Sequence, residues 1–82
     1  MYYLYIIECA DKTLYTGITV DLTRRINEHN DKKIGAKYTR TRRPVKLVYT
    51  KKFRNRSTAS RAEAKIKKLS RVNKLKLIKN NQ

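Results

Sequence analysis

Eighty-two residues hold one domain and one core, at a size where folding alone is feasible with little margin. No run of eighteen apolar residues occurs, which excludes a membrane-spanning helix. A single cysteine, Cys9, and a single histidine, His29, exclude an internal disulfide framework and a zinc site built from Cys and His alone. The formal net charge is +16 and it is segregated: residues 1–31 hold three Lys/Arg against five Asp/Glu, and residues 32–82 hold nineteen against one. Self-repulsion on that scale points to a polyanionic partner, which is expected to be nucleic acid. An anionic membrane is disfavoured, because no helix pairs a broad Trp/Phe/Leu face with its basic face. The expected compartment is a reducing cytoplasm.

The chain opens on an apolar run, Met1 to Glu8, with no basic segment before it, so it reads as structure and not as a secretory signal. Two β-rich runs, Tyr3–Cys9 and Thr13–Thr19, flank Ala10-Asp11-Lys12 and predict an antiparallel hairpin. Its register is open. Pairing centred on Lys12 opposes Tyr5 to Thr19 and Cys9 to Tyr15 and puts Tyr5, Tyr15 and Gly17 on one face. Pairing centred between Asp11 and Lys12 points the two tyrosines apart. A helix follows, with Asp21 as N-cap and Leu22 and Ile26 as its apolar stripe, continuing to about Lys32. Gly35 breaks the pattern. Residues 36–43 read as a basic loop or short helical turn ending before Pro44. Val45–Thr50 predicts a third strand, with Phe53 within its reach. Ser57 or Ser60 is the expected cap of a second helix carrying Ala59, Ala62, Ile66 and Leu69. Ser70 is the expected cap of a last helix carrying Val72, Leu75 and Ile78. The order ββαβαα predicts an α+β fold: a small three-stranded antiparallel sheet flanked by helices, one domain over residues 1–82.

Three groups break these patterns. Arg25 and His29 share the inward stripe of the first helix with Leu22 and Ile26, at i, i+3, i+4, i+7. A guanidinium there needs an anionic partner or a cleft edge; the plain reading is that Arg25 reaches solvent and His29 is a boundary residue. Glu63 is the one carboxylate of the last fifty-one residues. It reads as a capping box with Ser60, as an ion pair with Lys67, or as the ligand of one hard divalent ion that keeps most of its water. Tyr5 and Tyr15 are either packing aromatics of a sheet or part of a site. Gly17 inside a strand marks a bulge or a close approach to the backbone.

Taken together, Tyr3-Leu4-Tyr5, then Tyr15-Thr16-Gly17, Arg25, His29 and Glu63 resemble the GIY-YIG nuclease domain from about Tyr2 to Ile78. Residues 35–39 and 43–49 are similar to its small stand-alone bacterial branch, UPF0213. The resemblance implies a three-stranded antiparallel sheet with one active site on its face, and Tyr5 and Tyr15 sharing that face. It implies that Tyr5 and Tyr15 position and activate the attacking water, that Gly17 is the motif glycine, and that Arg25 stabilises charge on the phosphate. His29 matches a histidine of many members, and Glu63 the carboxylate that carries one Mg²⁺ or Mn²⁺. Tyr3 departs from the first-motif glycine. Asn73 is the nearest counterpart of a late asparagine.

The implied activity is metal-dependent hydrolysis of a phosphodiester, with DNA expected ahead of RNA. With no appended domain expected, specificity is left to the domain itself or to a protein partner. Gly17, Lys37, Tyr38, Arg40, Arg42, Arg43, Lys51, Lys52 and Arg54 are expected to contact the nucleic acid, mainly through phosphates, with Tyr38 stacking on an unpaired base. The alternative is a catalytically silent binding module of the same fold.

Overall fold

The computed structural model describes residues 1–31 and 42–80. Its elements are β1 (Tyr2–Glu8), β2 (Leu14–Thr19), α1 (Leu22–Asn30), β3 (Lys46–Phe53), α2 (Arg56–Lys67) and α3 (Arg71–Asn80). The strands form one antiparallel sheet in the order β2-β1-β3, so the fold is α+β as expected. The central position falls to the strand whose sequence is apolar without alternation. Leu4, Tyr5, Ile6 and Ile7 are all 0–1% exposed, which requires cover on both faces. On one face Tyr5, Ile7, Cys9 and Val45 pack under Leu22 and Ile26 of α1. On the other, Leu4, Ile6 and Tyr49 pack under Ala62 and Ile66 of α2 and Leu77 and Ile78 of α3. None of the described helices is long and apolar enough to cross a membrane.

The hairpin register corrects both sequence alternatives. Tyr5 pairs with Gly17 and Ile7 with Tyr15, so the centre is Asp11 rather than Lys12. The cause is a tight loop. Cys9 N–H donates to the Thr13 carbonyl, Lys12 N–H donates to the Cys9 carbonyl, and Lys12 takes φ 71°. Asp11 Oδ1 accepts from both the backbone N–H and the hydroxyl of Thr13. A turn followed by one left-handed residue is a common three-residue hairpin connection. Moving the centre by one whole residue keeps the parity of the faces. Tyr5, Tyr15 and Gly17 therefore share a face, as the Lys12-centred pairing required.

The caps are mixed. Asp21 caps α1 as expected, its side chain accepting from Arg24 N–H, and α1 ends at Asn30 rather than Lys32. Ser70 Oγ accepts from Asn73 N–H at the start of α3. The cap of α2 is Asn55, not Ser57 or Ser60: Asn55 Oδ1 accepts from Thr58 N–H. Asn competes with Ser for that position on equal terms, and the strand ending at Phe53 starts the helix early. Ser60 then lies inside the helix, which removes the capping-box reading of Glu63.

Two links place α1 relative to β3. The Asn30 side-chain amide bonds both backbone groups of Val45, accepting from its N–H at 2.8 Å and donating to its carbonyl at 3.2 Å. Ala10 N–H donates to the Arg42 carbonyl. Along β3 a bulge between the partners of Ile6 and Ile7 inserts Val48, so Tyr49 faces α2 and α3 while Leu47 lies beside Leu22 and Ile26.

Candidate active site

The centre of the site is the hydroxyl of Tyr5. Its ring lies across Gly17 of the neighbouring strand. A Cβ at Gly17 would stand 2.6 Å from Tyr5 Cζ and nearer still to the hydroxyl, so only glycine lets the ring cross β2. This explains the glycine by close approach, one of the two readings its position allowed.

At the end of the ring, Tyr5 Oη lies 2.9 Å from His29 Nε2. His29 is fully buried and stands edge-on to both tyrosines, with ring centroids 5.8 Å from Tyr5 and 5.3 Å from Tyr15. The boundary reading of His29 is thereby overturned. The inward stripe of α1 carries it under the sheet, and a buried imidazole needs the partner that Tyr5 supplies. Burial, helped by the nearby Arg25 charge, lowers the His29 pKa to about 4. The ring is neutral at pH 7.

Arg25 stands one turn earlier on the same stripe, with its side chain 30% exposed. Its Nη1 donates to Glu28 Oε1 at 2.9 Å, and it also hydrogen-bonds Tyr5. Burial works against the guanidinium charge, yet those two bonds outweigh it and hold the pKa above its usual value. Glu28 accepts from Arg24 as well, at 3.1 Å. The Arg25 bond first, and then the Arg24 contacts, hold its carboxyl below the ordinary range. Glu28 is the residue that sequence reasoning missed. Its spacing of three after Arg25 was the available signal.

The Tyr5 hydroxyl is pushed above the ordinary phenol pKa by burial. The hydrogen bond and charge of Arg25 oppose that rise, while the proximity of Tyr15 and of the Glu63 carboxylate adds to it. Groups from β1, β2, α1 and α2 thus act on one oxygen. Glu63 stands on the helix packed beside β2, close enough for its charge to be felt at Tyr5. It is partly buried, and Lys67 Nζ lies 3.4 Å from its Oε2, so the expected ion pair with Lys67 is present.

Other expected residues fall elsewhere. Lys37, Tyr38 and Arg40 lie outside the described residues. Arg42 pairs with Asp11 at 3.0 Å across the hairpin loop. Arg43 has a buried Nη1 without a hydrogen-bond partner among the described residues. Lys51, Lys52 and Arg54 are exposed, Lys51 lying 5.6 Å above the Phe53 ring. Asn73 is exposed on α3 and makes no hydrogen bond to the Tyr5 centre among the described residues.

Comparison with known proteins decides the family. A model of the GIY-YIG catalytic domain matches residues 1–76. The chain belongs to the GIY-YIG family. Within that family, this GIY-YIG domain is 57% identical over 79 residues to a UPF0213 protein of Syntrophus aciditrophicus, covering 96% of this chain and 91% of the relative. It is 52% identical over 80 residues to a UPF0213 protein of Streptococcus agalactiae, covering 98% and 90%. Its fold is similar to the solution NMR structure of a UPF0213 protein from Bacillus halodurans, with TM-score 0.62, 48% identity, and 96% and 84% of the two chains covered. A solution NMR structure of an E. faecalis protein gives TM-score 0.66 at 43% identity, covering 96% and 83%.

Proposed function

We propose that this GIY-YIG domain hydrolyses phosphodiester bonds in nucleic acid, DNA ahead of RNA, with one divalent metal ion. The observation that carries the reading is the Tyr5–His29 hydrogen bond, with Arg25, Tyr15 and Glu63 all acting on the same hydroxyl. A packing tyrosine has no use for that company.

The chain's own groups supply a proton path. In the Nδ1-protonated tautomer, neutral His29 accepts at Nε2 the hydrogen that Tyr5 Oη donates. As water attacks phosphorus, its proton passes to Tyr5 Oη while the tyrosine's own proton passes to His29. The new P–O bond forms as the bond to the leaving oxygen breaks, and that oxygen takes up a proton from solvent. A phenol alone, with pKa about 10, is a poor base; coupling to an imidazole of low pKa keeps an acceptor available at neutral pH. Arg25, held in place by Glu28, puts fixed positive charge where phosphate charge accumulates.

The donor set suits a hard ion. Among the described residues no group of three metal-ligating side chains forms, and Glu63 is the carboxylate whose charge reaches the Tyr5 centre. One carboxylate with open water positions fits Mg²⁺ or Mn²⁺ and not a caged zinc. When bound there, the ion polarises the phosphate oxygens. A buried free thiol at Cys9 suits action in the reducing cytoplasm, and targeting would come from the domain itself or from a protein partner.

The test is cleavage of plasmid, single-stranded, branched and RNA substrates with Mg²⁺ or Mn²⁺, for wild type, Glu63→Gln and Arg25→Ala. Both variants are expected to bind but cut about 100-fold or more slowly, the size of losing one such electrostatic contact. Tight binding without cleavage by wild type would replace the enzyme with a binding module, and equal cleavage by the variants would remove Glu63 and Arg25 from the proposed chemistry.

A further inference from the structure

The fold sorts the chain's charge. Three of the six carboxylates, Asp21, Glu28 and Asp31, line a concavity of about 450 Å³ along α1, with Arg24 as its one cation among the described residues. That side repels a polyanion. The opposite face of the sheet is covered by α2 and α3, where residues 56–80 hold nine Lys/Arg against one carboxylate, Glu63. Among the described residues only Lys67 of those nine pairs with a carboxylate.

The two sides meet at β2, one of the two edge strands of the sheet. Glu63, on α2 beside β2, lies within electrostatic range of the Tyr5 hydroxyl there. Three residues before Gly17, a groove of about 220 Å³ opens between the start of β2 and α3, lined by Thr13, Leu14, Arg71 and Lys74. Three residues of extended strand cover ~10 Å, roughly three nucleotide steps at about 3.4 Å each in a duplex. The groove therefore opens on the edge that holds the reaction centre, within a few nucleotides of it, and neither of its two cations pairs with a carboxylate among the described residues.

We propose that this groove is where the backbone of a bound nucleic acid leaves the reaction centre and passes onto the basic surface of α2 and α3, with Arg71 and Lys74 each on a phosphate. The inference rests on the nuclease reading for the position of the reacting phosphate, while the contact itself is to backbone charge and needs no cleavage. Contacts of this kind orient the strand and carry little sequence information.

The experiment is fluorescence anisotropy of a labelled duplex and of its single strand, in EDTA so that binding is read without cutting, from about 50 to 200 mM salt. Arg71→Gln/Lys74→Gln is expected to lower the slope of log affinity against log salt by about 1.8 on duplex or about 1.4 on single strand, two phosphate contacts' worth. The dissociation constant at the lowest salt rises about tenfold. Arg71→Gln alone, at an exposed residue without an ion pair among the described residues, gives half the slope change; circular dichroism confirms that both variants fold. Arg24→Gln/Lys46→Gln removes the same charge from exposed cations of α1 and β3 and leaves the slope within about 0.5 of wild type. An unchanged slope in the groove variant overturns the proposal, and so do equal effects from the two pairs. Equal affinity for polyglutamate would show an acidic-protein surface instead. Wild type that binds no nucleic acid overturns both this proposal and the nuclease reading. Wild type that shows the slope change but cuts nothing sustains the groove and removes only the enzyme.

Discussion

At the scale of single residues, the site turns on how one tyrosine reaches its partners. Tyr5 is 1% exposed, its ring spans Gly17, and its hydroxyl meets a histidine twenty-four positions away. A methyl group at position 17 meets a stiff, hydrogen-bonded ring and not a flexible tip. Gly17→Ala is therefore expected to cost about 1–3 kcal/mol in urea unfolding, the range for overpacking a tight site, and to lower kcat/KM at least tenfold because the hydroxyl moves; a wild-type melt and rate would sink that account. His29 gives a second prediction through its proton. Its pKa is about 4 when folded and about 6.5 when unfolded. The unfolded chain therefore binds the proton first, and stability rises with pH. This contribution is fully present above pH 6.5, declines as pH falls, and is gone below about 4. Wild type should lose about 2 kcal/mol between pH 7.5 and pH 5.0, and His29→Gln should lose correspondingly less over the same window. Parallel pH profiles for the two proteins would show that the imidazole is not buried neutral. The α1 spacing placed Arg25 and His29 on the face of Leu22 and Ile26 from sequence alone. Burial of His29 was not legible, because its partner comes from β1, and strand–helix contacts at that separation leave no local pattern.

Among the elements, local chemistry decided what sequence could and could not show. The central place of β1 comes from the structure and accounts for its apolar run without alternation, while Asp21 and Ser70 cap their helices, as expected, in the way their short side chains allow. The cap of α2 went to Asn55 because β3 runs on to Phe53 and leaves only two residues before the helix. Choosing among Asn55, Ser57 and Ser60 required knowing where the strand stops, which is set by pairing with Tyr2. Asn55→Ala is accordingly expected to destabilise by about 1 kcal/mol in chemical denaturation, while Ser57→Ala, on an exposed position inside α2, stays within about 0.5 kcal/mol. Equal losses would contradict the observed cap. The hairpin shows the same limit: the faces of Tyr5 and Tyr15 depended only on parity, while the pairing itself depended on how Asp11 and Lys12 fold the loop.

For the whole molecule, the dominant fact is charge held without counter-charge. A net +16 on 82 residues opposes folding through self-repulsion, and salt screens that repulsion over about 8–10 Å near physiological ionic strength. The free protein should therefore melt at a higher temperature as neutral salt is added, the reverse of a fold held by exposed ion pairs. Nucleic acid also stabilises the fold, but by an amount that falls as salt is added. A duplex present at about 100 times its Kd stabilises the folded state by about 2.7 kcal/mol, which for a domain of this size raises Tm by roughly 10–20 °C. The same salt that stabilises the free protein releases the duplex, because binding is repaid by counterion release. Two melting curves follow, one rising with salt and one falling, and they converge where the duplex dissociates. Thermal unfolding with and without duplex across a salt series measures both. A free-protein Tm that falls with salt would mean that the ion pairs of Arg24, Arg25 and Arg42 outweigh the repulsion. Curves that run parallel would mean that the charge of α2 and α3 is a solvated surface with no polyanion to serve.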